Sequence, residues 1–258
     1  MAASGAVAHD NPAALGATPA FKPATVADMF DEVAHNSAAA AAAAAAAVST
    51  PPALVVVYVS DGIVVATYRE TAPARRVVVA GASVHDDTDL QATVAWLRAF
   101  LDRLRGQDSL ARAPLFVCFE TNSGPDTLMI AAQLDDAAYA PMRFWTARDG
   151  RFGFFLTTEK MEQAYRGAEV HMRDRTCTAS GGAGWLGPAA TRDTLRENML
   201  AQQYVTLVPE RRWAVRAVDA GESNRPRIGG DLVTSMVLCM HVLDEALHAL
   251  EASGRAAE

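Results

Sequence analysis

Lysine is almost missing from this chain: Lys22 and Lys160 are the two lysines in 258 residues. A phosphate loop of the GxxxxGK[ST] kind, which cradles a nucleotide with backbone N–H groups and a lysine, has no match in the sequence, so a motor ATPase of that type is excluded. Cysteine is scarce as well. Cys118, Cys177 and Cys239 stand far apart with no CxxC pairing, which excludes a zinc ribbon or a disulfide framework and predicts reduced core residues of an intracellular protein. Positive charge is in deficit, with 23 Lys and Arg against 30 Asp and Glu and a net charge of −7. No global positive field draws nucleic acid to such a surface, and contact with DNA requires a local basic patch. Large apolar side chains never run unbroken for the length of a bilayer span, and no basic start followed by an apolar core opens the chain. A soluble chain with no membrane partner is expected.

What is present divides in two. Residues 1–51 are rich in alanine, with an unbroken run from Ala38 to Ala47, and offer few large side chains to set against the entropy of ordering them. They are expected to form a disordered tail. One segment inside it, "TVADMFDEVAHN" (Thr25 to Asn36), puts Val26, Met29, Phe30 and Val33 on one helical face and reads as a helix, docked or free. Residues 52–252 carry regular periodicity and are expected to form one α/β domain, followed by a short tail over 253–258.

Within the domain, "ALVVVYVSDGIVVATYRE" is two β-branched runs around a Ser-Asp-Gly turn, and "RRVVVAGASV" is a third strand. "DDTDLQATVAWLRAFLDRLRG" opens with acidic capping residues, carries Leu90, Val94, Leu97, Leu101 and Leu104 at helical spacing, and stops at Gly106. "FVCFETNSGPDTLMIAAQL" starts as a buried strand and ends as an amphipathic helix. A strand at "PMRFWTA", helices over Glu159 to Met172 and "TRDTLRENMLAQQ", short strands "YVTLVP" and "WAVRAV", and a long apolar helix from Asp231 to about Leu250 complete the reading. This order predicts a ribonuclease H-like mixed sheet, three antiparallel strands and then parallel ones, flanked by helices.

In such a fold, carboxylates at strand ends and at the start of the last helix can converge on divalent metals. Glu120, at the carboxyl end of a buried strand, and Asp231, just after Gly229-Gly230, fit those places. Each has a plainer reading, a solvated strand end for Glu120 and a helix N-cap for Asp231. Arg211, Arg212, Arg216, Arg225 and Arg227 gather ahead of Asp231 and read either as a solvated face or as a track for a DNA backbone. His85 with Asp86, Asp87 and Asp89 reads as an acidic helix start that complements the helix dipole. His171, His241 and His248 read as surface or packing residues, and the glycines from Gly181 to Gly184 as a turn.

The Glu120 segment resembles the glutamate-bearing strand of herpesvirus-type large terminases: Asn122, Ser123 and Asp126 keep the family pattern and Thr121 departs from it. "FFLTTEKMEQAYRGAEVHMRDRTCTAS" is similar to the family's next stretch, and "GGDLVTSMVLCMHVL" resembles its final Asp-Asp helix, with Gly230 in place of the first aspartate. The likeness covers about Ala53 to Leu247 and implies a C-terminal nuclease domain of ribonuclease H-like fold. It also implies a site of Glu120 and Asp231, completed by Asp61 or Asp126, holding Mg²⁺ or Mn²⁺ against double-stranded DNA. In the family the first strand ends in a catalytic Asp, whereas here Asp61 sits in the shortened "VSDG" turn, where turn chemistry also explains an aspartate. Three functions follow: an endonuclease that cuts concatemeric viral DNA during genome packaging, a catalytically degenerate domain that binds DNA or packaging partners, and a Holliday-junction-type resolvase. Large terminases join an ATPase to the nuclease; with no phosphate loop in this sequence, any packaging ATPase is expected on another polypeptide. The resemblance further implies other terminase or portal subunits as partners, and action in the host nucleus or at the site of viral assembly.

Overall fold

Strands rich in β-branched or aromatic residues form the middle of a six-stranded mixed sheet in the computed structural model, which describes residues 15–30, 52–60, 62–71, 74–85, 89–123, 126–134, 136–147, 149–181, 184–207, 212–217 and 228–255. Strands β2 (Leu54–Val59), β3 (Gly62–Thr71) and β4 (Ala74–Val84) form an antiparallel meander, with Val59 opposite Ile63 and Gly62 opposite Val84. Strand β5 (Leu115–Phe119) runs parallel to β2, and β6 (Met142–Phe144) runs parallel to β5. The resulting order β6-β5-β2-β3-β4 is the expected ribonuclease H-like arrangement, extended on the far side by β7 (Cys177–Ala179) parallel to β4. Three residues are too short to show a period, so β7 had no sequence signal.

Both sheet faces are covered, as a parallel segment requires. Helices α2 (Leu90–Arg105) and α3 (Asp126–Gln133) pack on one face through Val94, Leu97, Leu101, Leu104 and Ile130. Asp89 caps α2 by accepting from the Ala92 N–H at 2.9 Å, which accounts for that part of the acidic run; Asp86 and Asp87 lie outside the described residues. The other face carries α4 (Thr158–Arg173), α5 (Ala189–Ala201) and the long α6 (Ile228–Arg255). Within α6, Leu232–Ala252 is long and apolar enough by length and composition to cross a membrane, and 61% of its most apolar window is buried inside the fold. A central core helix meets the same criterion because it is apolar on nearly every side.

The expected tail over residues 1–51 is corrected in part. Strand β1 (Leu15–Pro19) pairs antiparallel with β8 (Gln202–Leu207), which also pairs with β9 (Arg212–Ala217) in a second, three-stranded sheet. Helix α1 (Pro23–Phe30) follows, and Phe21, Val26, Met29 and Phe30 are buried in the same core as α4, α5 and α6. Arg192 of α5 donates to the Phe30 carbonyl at 2.9 Å and Arg175 pairs with Asp28 at 3.2 Å. Val26, Met29 and Phe30, three residues of the helical face read from the sequence, dock this helix of eight residues, joined by Phe21 just ahead of it, which the composition of the stretch did not bring out. Residues 31–51 lie outside the described residues.

Candidate active site

Glu120 follows the last residue of β5 and is half-buried. Its N–H donates to the Val59 carbonyl at 2.8 Å, so the ends of β5 and β2 stay in register beyond the strands themselves. On its other side the segment around Phe154 runs parallel to it, Phe154 N–H donating to Phe119 O at 2.8 Å and Thr121 N–H to Phe154 O at 3.0 Å. Gly153 makes that approach possible. Its φ is +71°, and an added Cβ would lie 2.6 Å from both the Phe119 carbonyl oxygen and Thr121 Cγ2. Asn122, one of the residues in the terminase-like run, locks the same segment: its amide donates to Leu156 O at 2.9 Å and its Oδ1 accepts from Leu156 N–H at 2.5 Å.

The phenol of Tyr58 donates to Glu120 Oε2 at 3.1 Å. Tyr58 is fully buried, and its ring meets Phe154 edge to face at 6.2 Å. Burial first and the nearby Glu120 charge second push the phenol far above its ordinary pKa, so it remains a protonated donor throughout the working pH range. A carboxylate oxygen held in this way has a fixed direction, as supporting hydrogen bonds give to metal ligands. Lys160, at the start of α4, places Nζ 4.5 Å from the Phe154 ring centroid and donates to Phe155 O at 3.1 Å. A cation therefore stands beside the segment that flanks Glu120.

The start of α6 comes to the same end of the sheet. Ser60 Oγ and Ser235 Oγ are 2.7 Å apart, and a Cβ built on Gly62 would lie 3.6 Å from Leu232 Cδ1. The first turns of α6 thus rest on the β2–β3 connection, where Ser60 N–H donates to Gly62 O at 2.9 Å. The carboxyl ends of β2 and β5 and the amino end of α6 meet in the place where sheets of this type hold ligands.

No protein-family model and no curated protein matches the chain. Solved structures do. The human cytomegalovirus terminase nuclease domain, in a manganese-soaked and inhibitor-bound form, superposes with a TM-score of 0.50 at 12% identity over 80% of this chain and 89% of that one. A second structure of the same domain gives a TM-score of 0.51 at 12% identity over 78% and 87%. The chain has the fold of this terminase nuclease domain. At such identity the likeness is one of fold, and what the residues do rests on their chemistry.

Against the terminase nuclease fold, the expected residues fall into three groups. Glu120 is at the end of β5, partly exposed and held by Tyr58. Asp126 begins α3 with an exposed side chain. Among the described residues no three His, Cys, Asp or Glu side chains come together to hold a metal. Asp61 and the side chain of Asp231 lie outside the described residues, although the backbone at 231 is helical. Of the arginines, Arg212 and Arg216 are in β9, in register with Leu207 and Gln203 of β8. Arg211, Arg225 and Arg227 lie outside the described residues. The donor type fits a hard divalent cation: Glu120 offers a carboxylate oxygen steadied by a hydrogen bond, the kind of group Mg²⁺ and Mn²⁺ take.

The three histidines are packing or surface residues, as expected. His171 lies between Thr176 Oγ1 at 3.0 Å and Asp244 Oδ2 at 2.9 Å, joining the end of α4 to α6. His241 faces the Phe154 ring at 5.9 Å and has Glu245 4.0 Å away. His248 meets the Asp244 carbonyl at 2.8 Å. All three have partners, reached across helices or one turn along α6. The residues missed by sequence reasoning are Tyr58, Ser60, Lys160 and Ser235. A signal existed for two of them: a hydroxyl in the aliphatic run "LVVVYV" and another in "SMVLCM" are polar groups in buried elements, and such groups need partners.

Removing the phenol tests the support of Glu120. Tyr58→Phe is expected to weaken Mn²⁺ binding about tenfold or more while keeping the ring packed, measured by titrating Mn²⁺ against its electron paramagnetic resonance signal. Unchanged affinity would leave Tyr58 a packing residue.

Proposed function

We propose that the chain is a metal-dependent DNA endonuclease of the viral terminase type, cutting concatemeric viral DNA during genome packaging. The observation that supports it best is Glu120: a carboxylate at the end of β5, steadied by a buried phenol, beside the end of β2 and the start of α6. Glu120 and Asp231, with Asp61 or Asp126, would hold Mg²⁺ or Mn²⁺. When bound, two such ions supply an activated water and neutralise the charge that develops on the phosphate. The chain's own part is to fix direction: Tyr58 holds one Glu120 oxygen, and Asn122 and Gly153 fix the segment packed alongside. These 258 residues carry no phosphate loop and do not themselves supply a packaging motor of that type. Purified protein is expected to nick or cut double-stranded DNA with little sequence preference in Mn²⁺ or Mg²⁺ and to do nothing in EDTA.

One observation favours a second reading, a degenerate domain that binds DNA without cutting it. Ser60, and no carboxylate, follows the last residue of β2 next to Glu120. DNA binding in both metals without cleavage, with candidate packaging partners present, would select that reading.

Either reading needs a positive surface on an acidic chain, and the segment Arg211–Arg227 is the candidate. Replacing Arg225 and Arg227 together by alanine is expected to weaken DNA binding and lower the slope of log affinity against log salt by roughly 1–2, since each phosphate contact releases about one counterion. An unchanged slope would make these arginines a solvated loop.

A further inference from the structure

The inner surface of α6 is apolar along most of its length, with Leu232, Val233, Met236, Val237, Met240 and Leu243 all buried. Two hydroxyls interrupt it near the beginning. Ser235, 2% exposed, meets Ser60 at 2.7 Å. Its neighbour Thr234 meets the phenol of Tyr165 at 3.2 Å, and that phenol donates to Gln202 Oε1 at 2.8 Å. Burying a hydroxyl in an apolar face is unfavourable unless it is paired, and an alanine would pack a helix on a sheet without that requirement. These polar fastenings sit three and four residues after Asp231, and Ser60 directly precedes Asp61. Positions 231 and 235 are one helical turn apart on the same face.

We infer that Ser60 and Ser235 are a positioning pair for the proposed metal site, tying the start of α6 to the end of β2 beside Glu120, so that the backbone elements carrying the proposed ligands hold one arrangement. This rests on the proposed nuclease reading. A hydrogen bond directs as well as attracts, so it fixes the rotation of α6 about its axis, which apolar packing leaves loosely defined. Small displacements matter here because a divalent ion accepts ligand oxygens only over a narrow range of distance. Neither serine contacts DNA in this role; both act through the carriers of the carboxylates.

The test uses the full chain with Ser60→Ala, Ser235→Ala, the double variant and Ser60→Thr. Mn²⁺ binding is read from the loss of the free-ion electron paramagnetic resonance signal, and melting temperature is measured in EDTA. Each alanine variant is expected to bind Mn²⁺ about tenfold more weakly, with the KM for DNA within twofold of wild type and the loss in turnover recovered at high Mn²⁺. The double variant should be no weaker than Ser235→Ala, because the Ser60 hydroxyl reaches α6 through Ser235. Ser60→Thr, which keeps a hydroxyl, should restore binding. Ser60 is half-buried at a turn, so Ser60→Ala carries the test if Ser235→Ala does not fold. Wild-type protein that binds Mn²⁺ alongside alanine variants that bind it equally well, or losses that add in the double variant, would overturn the positioning pair alone. Wild-type protein that binds no Mn²⁺ would overturn the nuclease reading and this inference together.

Discussion

Glu120→Gln is expected to reduce metal-dependent DNA cleavage about a thousandfold or more, equivalent to roughly 4 kcal/mol of lost transition-state stabilisation, without unfolding the chain. Glutamine is the informative replacement. It keeps an oxygen to accept the Tyr58 phenol, so the buried donor is not stranded, and it removes the charge that a cation would need. Alanine would combine loss of the ligand with an unsatisfied phenol and confuse the two effects. The measurement is the cleavage rate of plasmid DNA in Mn²⁺, with a melting curve as control. Asp231→Asn should match it, and Asp61→Ala decides the third ligand: loss of cutting assigns that place to the turn aspartate, whereas full activity leaves it to Asp126. Cleavage that survives Glu120→Gln at the wild-type rate would remove Glu120 from the site and the main support from the nuclease proposal.

The strand order was readable because it depends on local signals that the sequence carries in full. The Ser-Asp-Gly turn between two β-branched runs predicts an antiparallel pair, and Val59 does lie opposite Ile63 across it. The buried run ending in Glu120 pairs parallel to β2, and the helix starting at Asp89 is capped by that residue. What escaped is what depends on distant partners. Cys177–Ala179 is too short to carry a period and becomes a strand only because β4 offers an edge. Ser60 and Ser235 are 175 positions apart, and nothing near either residue signals the other.

The site shows the same division. Glu120 stands out in the sequence because a carboxylate closing an aliphatic strand conflicts with its surroundings. Asn122 was noticed as part of a motif, yet its place in the structure is that of a clamp on the Leu156 backbone. Tyr58 is one residue within an aliphatic strand run and carries no motif of its own. Strand period alone puts it on the same face as Val56, the face covered by α6, and the hydroxyl is what distinguishes it.

The segment once grouped with the alanine-rich tail carries the largest expected effect on stability. A fragment lacking residues 1–51 is expected to lose its cooperative melt or to melt more than about 10 °C below the full chain. Four large side chains leave the core together, Phe21, Val26, Met29 and Phe30. Their departure uncovers the face of Tyr165 that Phe21 stacks against at 5.8 Å, and it leaves Arg192 without the Phe30 carbonyl and ring it now contacts. Loss of β1 also opens one edge of the second sheet, where β8 would present unpaired backbone groups. Phe30→Ala in the full chain isolates one contact and should cost about 3–5 kcal/mol. That is a large part of the ~5–15 kcal/mol by which folded domains are stable, and for a chain of this size it lowers the melting temperature by about 10 °C. Both effects are read by calorimetry or by circular dichroism on heating. A fragment without residues 1–51 that melts within about 3 °C of the full chain would show that β1 and α1 add nothing to the fold, and would place its start back at residue 52.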